Sequence, residues 1–165
     1  MYYFYFDASA LVKRYTRESG GDKMLFLFRN VPLGRLFCLT IGAIEIFWIC
    51  VRKRNDGRIT SHQFDRAVAH LRREVIDSQS AFKPLSIPDS LIWNSMNLIE
   101  THSLNSVDAI VLRSALDTAT ELRNTGDTVV LVASDQRLLR AARAEGLQIF
   151  NPEVDSQQIL TDWIS

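Results

Sequence analysis

The chain has 165 residues, 47% of them hydrophobic and 23% charged, with seven Gly and four Pro. That length closes one good hydrophobic core and seldom two, and the composition excludes a disordered, fibrous or disulfide-stapled protein. Nineteen Lys and Arg cancel nineteen Asp and Glu, so no global positive field marks a nucleic-acid binder, and any such contact must be local.

Residues 2–6, YYFYF, are a β-prone run stopped by Asp7, after which residues 9–15 change to helical composition. Gly20-Gly21 separates a second helical stretch at 22–28. Beyond the Pro32 and Gly34 turn, residues 35–39 are a second strand candidate, and Thr40 caps a helix that runs to about residue 54 and breaks at Asn55-Asp56-Gly57. Thr60 or Ser61 starts a long amphipathic helix through about residue 76, with Phe64, Val68, Leu71 and Val75 recurring at three to four. Residues 82–87 read as a short strand, and Pro88 begins a helix that continues to about His102. Asn105 or Ser106 opens the next helix, which runs to about Arg123; Gly126-Asp127 ends it before the strand at 128–133. A helix at 136–144, the Gly146 break and a strand at 147–150 follow, then Asn151-Pro152 and a short tail.

Alternating strands and helices predict an α/β fold: a three-layer α/β/α sandwich with a mostly parallel central sheet, because parallel neighbours need helical crossovers that cover both faces. Residues 1–150 form a single domain, with the tail at 151–165 as part of it. Cys38 and Cys50 both lie in apolar runs, which predicts reduced, buried thiols and a cytoplasmic protein. The N-terminus has no basic leader, and the longest apolar stretch, 38–51, is interrupted by Thr40 and Glu45 and is too short for a bilayer, so no membrane association is expected.

Parallel sheets bind ligands beyond the C-terminal ends of their strands, and that rule turns the acids into a site. Asp7 ends the first strand, Asp135 follows the strand at 128–133, and Glu45 lies about a turn and a half into the helix after the second strand. Asp108 continues the core-facing stripe of Val111, Leu112 and Ala115 at the start of its helix and so points inward. Taken singly, Asp7 and Asp135 read as helix N-caps and Asp108 as a first-turn acid answering the helix dipole. Glu45 resists that reading: it sits mid-helix with Ile41, Ile44, Trp48 and Ile49 on its own face, where an ionised carboxylate requires a cation or a donor. Four carboxylates on one rim raise each other's pKa unless a hard divalent ion, Mg²⁺ or Mn²⁺, supplies compensating charge through oxygen ligands. His62, His70 and His102 show no HxxxH spacing and the cysteines no CxxC pattern, which speaks against zinc.

The segments Y-F-D-A-S-A-L-V-K (5–13), T-I-G-A-I-E (40–45), D-A-I-V-L-R-S-A (108–115) and S-D-Q-R-L-L-R-A-A-R-A-E-G-L (134–147) resemble, in order and context, the four acidic motifs of PIN-domain nucleases. They are closest in style to the VapC-like toxins of bacterial and archaeal toxin–antitoxin modules, and the G-L-Q-I-F-N-P ending (146–152) fits the same pattern. The resemblance implies that Asp7, Glu45, Asp108 and Asp135 hold the divalent metal and perform catalysis, while Ser9, assisted by Ser134, orders a water or phosphate. It implies RNA as substrate, a cognate antitoxin protein as partner and a homodimer. Arg113 departs from the small residue that relatives often carry in the third motif.

Residues 51–75 hold seven basic side chains against three acidic ones. Such a run is first of all a solvated helix face, but Arg52, Lys53 and Arg54, with Arg137 and Arg140 further on, are available to hold phosphates. Four other readings compete. A haloacid-dehalogenase-type phosphatase wants a second Asp where Ser9 stands, and an adhesion domain with a D-x-S-x-S metal site wants a Ser where Leu11 stands. A PIN fold retained as a catalytically idle RNA- or protein-binding module would not need all four acids; an RNA-processing nuclease outside any toxin system would.

Overall fold

The first strand, β1 (Tyr2–Phe6), sends Phe4 and Phe6 to one side and Tyr3 and Tyr5 to the other, and both sides are covered. A strand apolar on both faces belongs inside a parallel sheet. The computed structural model, which describes residues 1–82 and 84–165, has β1 between β2 (Leu36–Phe37) and β3 (Thr128–Val132). With β4 (Gln148–Phe150) the described residues make an all-parallel sheet of order β2-β1-β3-β4, Phe6 lying opposite Val132 and Val132 opposite Phe150.

The Phe4 and Phe6 face is covered by α1 (Ala8–Leu11) with its 3₁₀ extension Val12–Arg14, α2 (Gly21–Asn30), α3 (Thr40–Asn55) and α4 (Ser61–Leu71). Against the Tyr5 face pack α5 (Asp89–Asn94), α6 (Met96–His102), α7 (Ser106–Arg123) and α8 (Gln136–Ala144). The result is the expected three-layer α/β/α sandwich. Cys38 and Cys50 are free and buried. No helix among the described residues is long and apolar enough to cross a membrane.

Four expectations need correction. The helix predicted through residue 76 is α-helical only to Leu71 and ends in a π-helical turn, Arg72–Ile76. The strand predicted at 82–87 includes Lys83, which lies outside the described residues; of the others only Leu85 pairs, in a single parallel bridge to Leu39. Thr40 serves that bridge rather than capping α3, its N–H and hydroxyl both donating to the Leu85 carbonyl at 2.9 Å. The helix expected from Pro88 to His102 divides at the buried Ser95, whose hydroxyl donates to the Ile92 carbonyl at 2.7 Å and offers the backbone an alternative to the helical ladder.

The tail is a fifth difference. It carries a helix, α9 (Gln157–Ile164), capped by Ser156 and docked on the Phe4 face through the fully buried Leu160. Trp163 stacks on Tyr2 at 5.5 Å and meets Phe150 edge-on at 6.1 Å.

The approach to α9 is fixed by a close contact. Gly20 has φ +83°, and a Cβ added there would lie 2.5 Å from the Pro152 carbonyl oxygen, which also accepts a hydrogen bond from Lys23 Nζ at 2.8 Å. Gly20→Ala therefore combines left-handed strain with a backbone clash and is expected to cost about 2 kcal/mol or more. Thermal melts read this as a fall of roughly 4–8 °C. An unchanged melting temperature would mean that the Asn151-Pro152 segment yields freely.

Candidate acidic site

The chain leaves β1 through α1 on one face and leaves β3 through α8 on the other, so the two departing helices diverge and open a crevice beyond the ends of adjacent strands. This is the topological switch point of an open parallel sheet. Asp7 and Asp135 flank it. The Asp7 N–H donates to the Val132 carbonyl at 3.0 Å, extending the β1–β3 ladder by one bond and fixing where the carboxyl begins. α3 starts from the β2 end of the same rim, and α7, which leads back into β3, also starts there. The same rim thus receives Glu45 in the second turn of α3 and Asp108 in the first turn of α7.

Both readings of the single acids hold at once. Asp7 caps α1 by accepting the Ser9 N–H at 2.9 Å; Asp135 caps α8 by accepting the N–H groups of Arg137 at 2.8 Å and Leu138 at 3.0 Å. Capping consumes only one oxygen of each carboxylate, Oδ2 of Asp7 and Oδ1 of Asp135.

The four acids are also electrostatically coupled. Asp7 is buried, with 6% of its surface exposed; burial pushes its carboxyl above the usual range against hydrogen bonds from Ser9 and Ala8, and Asp135 adds to the push. Burial raises the half-buried Glu45 to about 7, helped by the charges of Asp7 and Asp108. Asp108 rises to about 6 through burial and the charges of Asp7 and Asp135, while a hydrogen bond from Asn105 and the Arg137 guanidinium pull the other way. Asp7 sits at the centre of this set.

Ser9 joins the two sides of the crevice. Its hydroxyl donates to Asp7 and accepts the Ser134 N–H at 3.0 Å, tying the turn after β1 to the turn after β3. The Ser134 hydroxyl is buried without a hydrogen-bond partner among the described residues. Asn105 was not singled out from the sequence beyond its place at a helix start, yet its side chain donates to Asp108 Oδ2 at 2.7 Å and accepts the Asp108 N–H at 2.9 Å. The signal was the N-x-x-D spacing, which lets one N-cap side chain start the helix and orient the acid.

The basic residues divide. Arg137 and Arg140 are exposed on α8, and Arg137 is near enough to act on Asp108. Arg52 lies over Trp48 at 4.7 Å and Arg54 over Phe64 at 4.3 Å. Lys53 is a correction to the expected phosphate contacts: it is buried and ion-paired with Glu18 at 2.8 Å, which commits its charge to the fold. Arg113 pairs with Asp117 along α7, so the departure in the third motif stays outside the core.

Hard oxygen donors, with Asp7, Glu45 and Asp108 raised first by burial and then by neighbouring acids, match a hard divalent cation in chemistry. As the side chains stand, no group of three or more His, Cys, Asp or Glu among the described residues is drawn together closely enough to grip one ion. Side-chain rotation is required for that.

The fold agrees with the family comparison: the PIN domain profile matches residues 4–144, and the chain belongs to the PIN domain family. Two relatives from Mycobacterium tuberculosis are Ribonuclease VapC45 of strain CDC 1551 / Oshkosh and Ribonuclease VapC49 of strain ATCC 25618 / H37Rv. Each is 26% identical over 152 residues, spanning 92% of this chain and 96% of the relative. Among solved structures, PAE2754 from Pyrobaculum aerophilum is similar in fold, with a TM-score of 0.58 at 20% identity over 98% of this chain and 94% of the other.

Proposed function

We propose that this chain is an endoribonuclease that hydrolyses RNA phosphodiester bonds with the help of Mg²⁺ or Mn²⁺, and that it is the toxin of a toxin–antitoxin pair. The observation that carries the reading is the gathering of Asp7, Glu45, Asp108 and Asp135 at the switch point, where burial of the first three and the charges of neighbouring acids leave negative charge uncompensated. Relatives named as ribonucleases over nearly their full length support the choice of RNA. A cognate antitoxin, a homodimer and a cytoplasmic location come with the same reading.

In this mechanism Asp7, Glu45, Asp108 and Asp135 would hold the ion. When bound, the ion supplies positive charge to the phosphoryl oxygens and acidifies water. The protein's own groups do the rest. A carboxylate of the set accepts the proton of the attacking water. Ser9 keeps Asp7 and the turn at Ser134 in register, and the exposed Arg137 and Arg140 would hold the strand. No covalent nucleophile is needed.

The decisive experiment is cleavage of an RNA pool by the purified protein with Mg²⁺, with Mn²⁺ and with EDTA. Cleavage that requires the ion is expected; a protein inert under all three conditions overturns the enzyme reading. For the toxin role, induction is expected to arrest growth and co-expression of the product of an adjacent small reading frame to relieve the arrest.

Divalent ions are also expected to stabilise the fold, since they bind the native site alone. At a hundredfold over Kd the gain is about 2.7 kcal/mol. Melts with and without Mg²⁺ or Mn²⁺ read it, and no shift at millimolar ion would count against a clustered site.

A further inference from the structure

A cleft of about 690 Å³ lies between the 3₁₀ extension of α1 and the length of α4, and none of the four acids lines it. Arg14, Arg17, Arg58, Arg66, His62 and His70 line it, with no acidic residue among the lining. The remaining polar wall includes Thr60 and Gln63, the reciprocal cap of α4, so the positive end of an eleven-residue helix faces the same space. Two of the arginines are tied locally, Arg14 to Glu74 at 2.7 Å and Arg58 to Asp56 at 2.8 Å. Arg17 and Arg66 are exposed and form no ion pair among the described residues. Arg14 Nε is buried with no acceptor among them.

We propose that this cleft binds the phosphodiester backbone of the RNA strand at a distance from the cut, as a second phosphate site that nothing in the acidic rim provides. The inference rests on the nuclease reading. Four arginines with no lysine among the lining cations is the composition of phosphate recognition, because the planar fork pairs two donors with two phosphoryl oxygens. The cleft and the acids lie at opposite ends of one rod: Asp7 caps its start and Arg14 ends it. Seven helical residues span roughly 10–13 Å. A stacked strand, at about 3.4 Å per nucleotide, covers that in about three or four steps. An RNA long enough to reach both ends is therefore held by both, and a very short one by the rim alone.

The test compares the wild type with Arg17→Ala/Arg66→Ala and with a control pair outside the cleft, Arg72→Ala/Arg73→Ala, all checked by melting. Binding of a fluorescent 20-nucleotide polyuridine in EDTA is measured against salt, and cleavage by the metal-loaded protein is measured on the 20-mer and on a trinucleotide. The cleft pair is expected to weaken 20-mer binding at least about tenfold at low salt and to reduce the log–log salt slope by about 1.4, while sparing the trinucleotide. Equal losses in the control pair, or equal losses on the trinucleotide, overturn the proposal. So does a 20-mer affinity that does not change. If the cleft pair instead loses only a competing polyglutamate peptide, the cleft belongs to an acidic polypeptide. A wild type that cleaves neither substrate would sink the nuclease reading, and the EDTA binding measurement would still decide the cleft.

Discussion

Replacing Asp7 by Asn is expected to leave a folded protein in which RNA cleavage falls at least about a hundredfold, the scale on which a positioned carboxylate contributes. Asn keeps the shape, and its one oxygen can still accept from Ser9, but its amide then turns a donor toward a space that needs acceptors. The same substitution removes a buried charge with no cationic partner. Burial raises the Asp7 pKa, so the stability linked to this group is fully present at acid pH and lost as pH rises through the raised value. Metal-free Asp7→Asn is therefore expected to melt at or above the wild type at pH 8 and level with it in acid. Full metal-dependent activity in this variant would remove Asp7 from the chemistry.

Glu45→Gln should show the largest effect on pH dependence. In the metal-free protein Glu45 is raised from 4.5 to about 7 and Asp108 from 3.8 to about 6. Both shifts have the same sign: the stabilising contribution is complete below about pH 4 and disappears as pH rises through 6 and 7. The wild-type melting temperature is thus expected to fall between pH 5 and pH 8 without metal. Gln at position 45 flattens the upper part of that fall, by on the order of 1–2 kcal/mol once solvent screening at a half-buried group is allowed for. The variant should also lose most of its cleavage and most of its stabilisation by Mg²⁺. A structural ion pair would predict the reverse, apo destabilisation with cleavage intact, and the basic side chains nearest in sequence are otherwise engaged: Lys53 with Glu18, Arg52 on Trp48, Arg54 on Phe64. Melts with and without ion, beside an RNA-cleavage assay, separate the two outcomes.

What the sequence made legible follows from how local each signal is. The bounds of α7 and α8 were readable because a side-chain cap, Asn105 or Asp135, begins each and a glycine turn follows each. The acids were readable for the same reason: three stand where an element starts or ends, and topology gathers such positions on one rim. Contacts between distant residues were hidden. Nothing local announces that Ser9 meets the turn at Ser134, 125 residues on, or that Glu18 buries the charge of Lys53. The surroundings of Glu45 were misjudged in part. Ile44 and Trp48, placed with it on a desolvating face, are 66% and 54% exposed, and the rise in its pKa comes from its own burial together with two acids from other elements. The helix in the tail was overlooked although Ser156 and the spacing of Leu160 and Ile164 carried its signature, because eight residues after a proline turn give a weak periodic signal.

The central position of β1 sets the order in which a growing chain can acquire its parts. More than a hundred residues separate this strand from its longest pairing partner, Thr128–Val132, so that pairing cannot form until they exist. Non-local parallel pairing of this kind is slow to form. Asp135, one of the four acids, is added after β3, and the Trp163 that covers Tyr2 comes later still. A nascent or prematurely terminated chain ending before these residues lacks both the middle of the sheet and part of the acidic rim. The acidic rim of the proposed nuclease is thus assembled from segments far apart in the chain and exists only once β3 has paired with β1.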